Sequence, residues 1–208
     1  MLQFITHSTG RYDEITGTQA VLEGGCRWIQ LRMKEAQTED FLRTGHEIAR
    51  LCRRYGATFI LDDRVDLVRE LHADGVHLGK NDMLVEEARR LLGKEKRIGA
   101  TANTFAEIRQ AAAQGADYIG LGPFRFTQTK RNLSPVLGPE GYRTILEQCR
   151  KSGITLPVIA IGGITAADAA ELISTGISGI ALSGALLQAE NTAAETHKII
   201  TILNQNRQ

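Results

Sequence analysis

Apolar residues along this chain fall into two alternating kinds of segment. Short runs rich in Val, Ile and Leu recur, and each is followed by a longer stretch with apolar residues at helical spacing. The short runs predict strands at Leu2 to Thr6, Arg27 to Met33, Ala57 to Asp62, Gly75 to Leu78, Lys96 to Ala100, Ala116 to Leu121, Pro157 to Ile161 and Gly179 to Leu182. From Glu39 to Tyr55 the helical pattern is plain: Phe41, Ile48, Leu51 and Cys52 share a face, while Arg43, Arg50, Arg53 and Arg54 lie elsewhere. Glycines at Gly24-Gly25, Gly56, Gly115, Gly153 and Gly176 stand just before strands. They suit helix ends, because glycine enters the left-handed conformation that closes a helix.

Strand then helix, repeated eight times, describes βα units around a parallel sheet. Eight units in 208 residues predict a compact (β/α)8 TIM barrel occupying residues 1–208 as one catalytic domain, since such barrels run from about 200 residues upward. A doubly wound sheet is the alternative. The barrel places chemistry where strands end and the following loops begin. The one long unpatterned stretch, Gly122 to Pro139, follows the sixth strand and suits a functional loop.

Charge narrows the partners. Lys and Arg number 25 against 24 Asp and Glu, so no global field recruits nucleic acid or an anionic membrane. Apolar runs such as Leu156 to Ile161 fall far short of the roughly 20 residues that cross a bilayer. The first residues lack an export signal, so a cytoplasmic protein acting on small molecules is expected; a homo-oligomer is compatible with the sequence. Three cysteines, Cys26, Cys52 and Cys149, lack metal or disulfide spacing and read as buried apolar side chains. The 21 glycines, set against 4 prolines and 5% aromatic residues, call for positional roles.

The second strand carries the first chemistry. In Arg27-Trp-Ile-Gln-Leu-Arg-Met-Lys34, period two sets Gln30, Arg32 and Lys34 on one face, pointing into the barrel and toward its C-terminal mouth. Two cations there need anionic partners: a phosphate or diphosphate, or else carboxylates of neighbouring strands. Asp63, after the third strand, and Asp82, after the fourth, suit a magnesium ion shared with substrate phosphates. Capping of the following helices is the competing role for both. His77, within the fourth strand, reads as structural. After the sixth strand, Thr127, Thr129 and Lys130 belong to a loop able to wrap anions and exclude water. Gly162-Gly163 and Ser183-Gly184 follow the seventh and eighth strands, where this fold builds phosphate sites from backbone N–H groups. Two anion grips imply two anionic substrates or one that is doubly phosphorylated.

Together these residues resemble the thiamine phosphate synthase family over nearly the whole chain. The resemblance rests on Gln30-Leu-Arg-Met-Lys34, Asp62-Asp63-Arg64, Gly75-Val-His-Leu-Gly79 with Asp82, Gly99-Ala-Thr101, Gly122-Pro123 with Thr127-Gln-Thr-Lys130, and Ala160-Ile-Gly-Gly-Ile164. It implies a transferase of thiamine biosynthesis that joins 4-amino-2-methyl-5-hydroxymethylpyrimidine diphosphate to hydroxyethylthiazole phosphate, or to its carboxylate. It further implies that Gln30, Arg32, Lys34, Asp62, Thr101 and Lys130 hold the pyrimidine diphosphate and that Asp63 and Asp82 bind Mg2+. Thr127, Thr129, Gly163, Ser183 and Gly184 would hold the thiazole phosphate, with Arg32, Lys34 and Lys130 catalytic. Three positions depart from the family pattern: Asp62 stands for its usual Asn, Thr101 for a serine, and Ser183-Gly184 for a hydrophobic residue followed by serine. The rival readings are the thiazole tautomerase branch, which uses a histidine after the sixth strand that is missing here, and a phosphate-ligand sensor, which has no need of Asp63, Asp82 and Lys130 together.

Overall fold

Eight short strands, β1 (Leu2–Ile5), β2 (Trp28–Leu31), β3 (Thr58–Asp62), β4 (Gly75–Leu78), β5 (Arg97–Ala102), β6 (Tyr118–Leu121), β7 (Val158–Ile161) and β8 (Gly179–Leu182), pair in parallel in chain order. β1 meets β8 through Leu2 opposite Ile180 and Phe4 opposite Leu182, which closes the (β/α)8 barrel. The computed structural model describes residues 1–126 and 134–205. Each predicted strand is present, with ends shifted by at most two residues.

The outer layer comprises α1 (Glu14–Glu23), α2 (Thr38–Tyr55), α3 (Val85–Leu92), α4 (Phe105–Ala113), α5 (Gly138–Lys151), α6 (Ala169–Ser174), α7 (Gly184–Leu187) and α8 (Thr192–Gln205). α2 buries Phe41, Ile48, Leu51 and Cys52 and stops at Gly56, whose φ of 61° and N–H donated to the carbonyls of Arg53 and Cys52 make the expected left-handed cap. One unit departs from the pattern. Between β3 and β4 there is only a 3-10 turn, Val65–Leu67, instead of a helix. Its apolar residues Val65, Leu67, Val68 and Leu71 are buried all the same. Leu71 lies against Gly45 of α2, where an added Cβ would come within 2.6 Å of it. Among the described residues no helix is long and apolar enough to cross a membrane.

Alternation along the strands divides two cores. Outward residues such as Phe4, Ile29, Leu31, Leu61 and Val76 pack under the helices, each large apolar side chain contributing about 1.5–3 kcal/mol by leaving water. Inward residues Tyr118, Ile159 and Ala181 form a second, inner cluster with Ile5, Trp28 and Ile161. The inner cluster exposes a role for glycine that composition leaves hidden. A Cβ on Gly99 would lie 2.1 Å from the Tyr118 ring, and one on Gly120 would lie 2.9 Å from His77. These positions are empty of side chain because the facing rings fill the barrel.

Candidate active site

Parallel register brings the polar strand ends to one mouth. Gln30 pairs with Ile60 and Asp62 with His77, so the ends of β2, β3 and β4 are neighbours. Gln30 is buried and donates from Nε2 to Asp62 Oδ1 at 3.1 Å. Its Oε1 is buried without a partner among the described residues. Arg32 Nε lies 3.6 Å from Asp62 Oδ2. Thr6, just past β1, fixes the backbone beneath: its Oγ1 accepts from the Arg32 N–H at 2.9 Å and donates to the Arg32 carbonyl. Nothing in the pattern singled out Thr6.

Lys34 is the hub. Its Nζ lies 2.6 Å from Asp63 Oδ2, 3.2 Å from Asp62 Oδ2 and 3.6 Å from Asp82 Oδ2. The competing role for the two metal candidates is not observed: the N-cap positions of α3 and the 3-10 turn are Leu84 and Arg64, and neither end has a side-chain cap. Asp82 instead accepts from the Gly79 N–H at 2.6 Å, which holds its carboxylate toward Lys34. Asp63 has a φ of 57°, a left-handed backbone that aspartate tolerates better than most residues. Arg32 and Lys34, just past the end of β2, therefore meet carboxylates at and beyond the ends of β3 and β4, and three hard carboxylates converge on the Lys34 ammonium. That donor set fits magnesium, which prefers one or two carboxylates plus waters and substrate phosphates to a complete protein cage; among the described residues no such cage is assembled.

The charges respond to this crowding. Burial raises the Asp62 carboxyl above the ordinary range, against the pull of Lys34 and Arg32. Asp63 is raised for the same first reason. Burial opposes the Lys34 ammonium, yet the three carboxylates hold its pKa above the ordinary lysine value. Since the folded state binds the Asp62 proton more tightly than the unfolded chain does, ionised Asp62 lowers stability above its folded pKa. That penalty disappears as pH falls toward 3.8, the ordinary value. Asp62→Asn is therefore expected to raise the melting temperature at neutral pH, with the gain shrinking toward pH 4, and to retain activity. A lower melting temperature for the variant at neutral pH would show that pairing with Arg32 and Lys34 outweighs burial.

Thr101, at the end of β5, is tied to His77, whose Nε2 lies 3.0 Å from the threonine Oγ1. Across the mouth, Ser183 precedes Gly184 and the short α7; its Oγ is buried with no hydrogen-bond partner among the described residues. The leading amides of a helix are open to an anion. Gly162 and Gly163 have a packing task of their own. At φ of 92° and 66°, they lie under the loop that follows β6: a Cβ on Gly162 would strike Pro123, and one on Gly163 would lie 2.8 Å from the carbonyls of Arg125 and Phe126. Arg125 completes that contact by donating to both oxygens of Asp168 and to the Gly163 carbonyl. Asn103 Nδ2 donates to the carbonyls of Gly122 and Pro135, pinning both ends of the same loop. Neither the Arg125–Asp168 pair nor Asn103 carried a signal in the sequence. Thr127, Thr129 and Lys130 lie outside the described residues.

Three cysteines are buried as expected, and burial pushes the Cys26 thiol up to about 11 and that of Cys52 to about 12. A cleft of about 590 Å³ opens at the opposite end of the barrel, among Met1, Trp28, Arg97, Tyr118 and Leu203. It is remote from the carboxylates.

Known proteins share this chain throughout its length. A family model described as thiamine monophosphate synthase matches residues 2–186. The thiamine-phosphate synthase of Phocaeicola vulgatus is 55% identical over 201 residues, covering 97% of each chain. That of Flavobacterium psychrophilum is 45% identical over 204 residues, covering 98% of this chain and 97% of the other. Thiamine phosphate pyrophosphorylase from Pyrococcus furiosus superposes with a TM-score of 0.88 at 35% identity, covering 100% of this chain and 96% of that one.

Proposed function

The chain belongs to the thiamine monophosphate synthase family, and we propose that its barrel mouth carries out the family reaction with two separate anion grips. It is a transferase of thiamine biosynthesis. The bond from the pyrimidine methylene carbon to the diphosphate oxygen breaks, and the electron pair leaves with diphosphate. The thiazole nitrogen lone pair then forms the new carbon–nitrogen bond, giving thiamine phosphate. If the thiazole arrives as its carboxylate, the ring carbon–carboxylate bond breaks as well: carbon dioxide leaves, and the electron pair left on the ring carbon takes a proton from water. No protein nucleophile is needed, because the aminopyrimidine delocalises the positive charge that develops on the methylene carbon.

One observation carries the assignment of residues: the convergence of Arg32 and Lys34 with Asp62, Asp63 and Asp82 on one side of the mouth, across from the Ser183 hydroxyl, which has no hydrogen-bond partner among the described residues. Gln30, Arg32, Lys34, Asp62, Thr101 and Lys130 hold the pyrimidine diphosphate. Asp63 and Asp82 hold Mg2+, which when bound neutralises charge on the departing diphosphate. Arg32 and Lys34 share that task from the chain itself. Ser183, Gly184, Gly163, Thr127 and Thr129 hold the thiazole phosphate. The tautomerase and sensor readings have no use for a cationic pair facing three carboxylates, and the relatives at 45% identity and above are named as synthases.

The deciding assay supplies both substrates, with and without Mg2+, and follows thiamine phosphate and diphosphate. Product is expected only when both substrates and the metal are present; no product with either thiazole form at saturation overturns the reading. Lys130→Ala is expected to lower turnover by about tenfold or more while changing the KM for thiazole phosphate less. An unchanged turnover number removes Lys130 from diphosphate departure.

A further inference from the structure

His77 takes no part in the reaction as described, yet the barrel is shaped around it. The side chain is 6% exposed and points inward from β4. On the next two strands around the barrel, β5 and β6, the facing positions are glycines: a Cβ on Gly99 would come 2.5 Å from His77 Nδ1, and one on Gly120 would come 2.9 Å from Cε1. The imidazole therefore lies across β5 and reaches β6. Its Nδ1 is 3.1 Å from the Tyr118 hydroxyl, and its Nε2 is 3.0 Å from Thr101 Oγ1. The Tyr118 ring is held in turn by the edge of Trp28, with centroids 4.9 Å apart.

Donors and acceptors can be assigned along this row. Burial raises the Tyr118 phenol well above its ordinary value, so it keeps its proton and acts as a donor. Among the described residues the phenol oxygen has a hydrogen-bond partner in His77 Nδ1, 3.1 Å away. A buried phenol hydrogen needs an acceptor, and His77 Nδ1 lies within reach of it. A neutral imidazole that accepts at Nδ1 carries its hydrogen on Nε2. That hydrogen goes to Thr101 Oγ1 and leaves the threonine O–H directed elsewhere. In the reverse polarity, Nε2 consumes the threonine hydrogen, and only lone pairs face an anion.

We propose that His77 is a positioning residue: held as the Nε2–H tautomer by Tyr118, it makes the Thr101 hydroxyl a donor to the phosphoryl oxygens of the pyrimidine diphosphate. This rests on the assignment of Thr101 to that substrate.

Nitrogen-15 NMR of the ligand-free protein labelled at histidine tests the tautomer directly. His77 should show a protonated Nε2 and an unprotonated Nδ1, and Tyr118→Phe should shift the population toward Nδ1–H. In steady-state kinetics, Thr101→Val and Tyr118→Phe should each raise the KM for pyrimidine diphosphate about tenfold, the scale of one hydrogen bond to a charged group, and leave the KM for thiazole phosphate unchanged. The double variant should lose no more than Thr101→Val alone, since both changes remove one interaction. His77→Gln, which can still present an N–H to Thr101, should recover most of the affinity that His77→Leu loses. Melting curves on each variant separate these effects from unfolding. An imidazole protonated at Nδ1, or additive effects in the double variant, overturns the proposal while leaving Thr101 at the substrate. An unchanged KM in Thr101→Val overturns the assignment of Thr101 and the proposal with it, whichever tautomer is found.

Discussion

Lys34→Ala is expected to lower turnover by about a hundred- to a thousandfold, the range measured when one preorganised group that stabilises developing charge is removed. The ammonium has two tasks in the same place. It lies between the carboxylates of Asp62, Asp63 and Asp82, and it adds positive charge where diphosphate gathers negative charge as the carbon–oxygen bond breaks. Without it, three carboxylates face one another with, among the described residues, only Arg32 near Asp62. The mouth then repels the substrate it must stabilise. The pH dependence separates this effect from a titration. With its pKa held above the ordinary lysine value of 10.5, Lys34 contributes stability that is fully present below pH 10.5 and is lost only as pH rises through the folded value. The ratio of wild-type to variant turnover should therefore be flat across the neutral range. Lys34→Arg should recover part of the loss, because charge is restored while the compact ammonium is not. Turnover within threefold of wild type in Lys34→Ala would remove this residue from the reaction.

How much of this was legible in the sequence depends on what each feature requires. Alternation was enough for eight βα units around a parallel sheet, and their number in 208 residues favoured the barrel over a doubly wound sheet; the pairing of β1 with β8 decides it. Alternation also placed Gln30 correctly on the inner face of β2, because a residue's face on a strand follows from its parity; Arg32 and Lys34 lie past the last residue of β2, where parity no longer applies, and their ion pairs with Asp62, Asp63 and Asp82 hold them at the mouth. The helix expected between β3 and β4 failed for a local reason: a 3-10 turn already buries Val65, Leu67, Val68 and Leu71. Contacts across the barrel were not legible. Thr6 under Arg32, Asn103 across Gly122 and Pro135, and Arg125 on Asp168 join residues 26, 19, 32 and 43 positions apart. No periodicity carries such pairings. His77 shows the same limit: its spacing within β4 marked it as structural, but only the register brings Thr101 and Tyr118 to its two nitrogens.

Gly163→Ala should be costly even with no phosphate present, and this separates the two accounts of that glycine. If its task were only to admit a phosphate, the ligand-free variant would melt with the wild type. The geometry requires more. At a φ of 66° an alanine pays for a left-handed backbone, about 1–2 kcal/mol. Its Cβ would also lie 2.8 Å from two backbone carbonyls, those of Arg125 and Phe126, and 2.9 Å from the Arg125 Cβ. Backbone atoms cannot swing aside as the end of a flexible side chain can, so the strain resembles overpacking of a core, another 1–3 kcal/mol or so. A total of roughly 3 kcal/mol lowers the melting temperature of a chain this size by about 6–12 °C. The loss should not stop at stability. Arg125 donates to the Gly163 carbonyl and to Asp168, so displacing this backbone disturbs the start of the loop after β6, whose Thr127 and Thr129 are proposed to hold the thiazole phosphate. The KM for thiazole phosphate should rise together with the fall in melting temperature. Arg125→Ala, which loosens the same contact without a clash, should reproduce the KM effect with a smaller thermal loss. Equal melting temperatures for the ligand-free wild type and Gly163→Ala would return this glycine to the simpler role of leaving room for an anion.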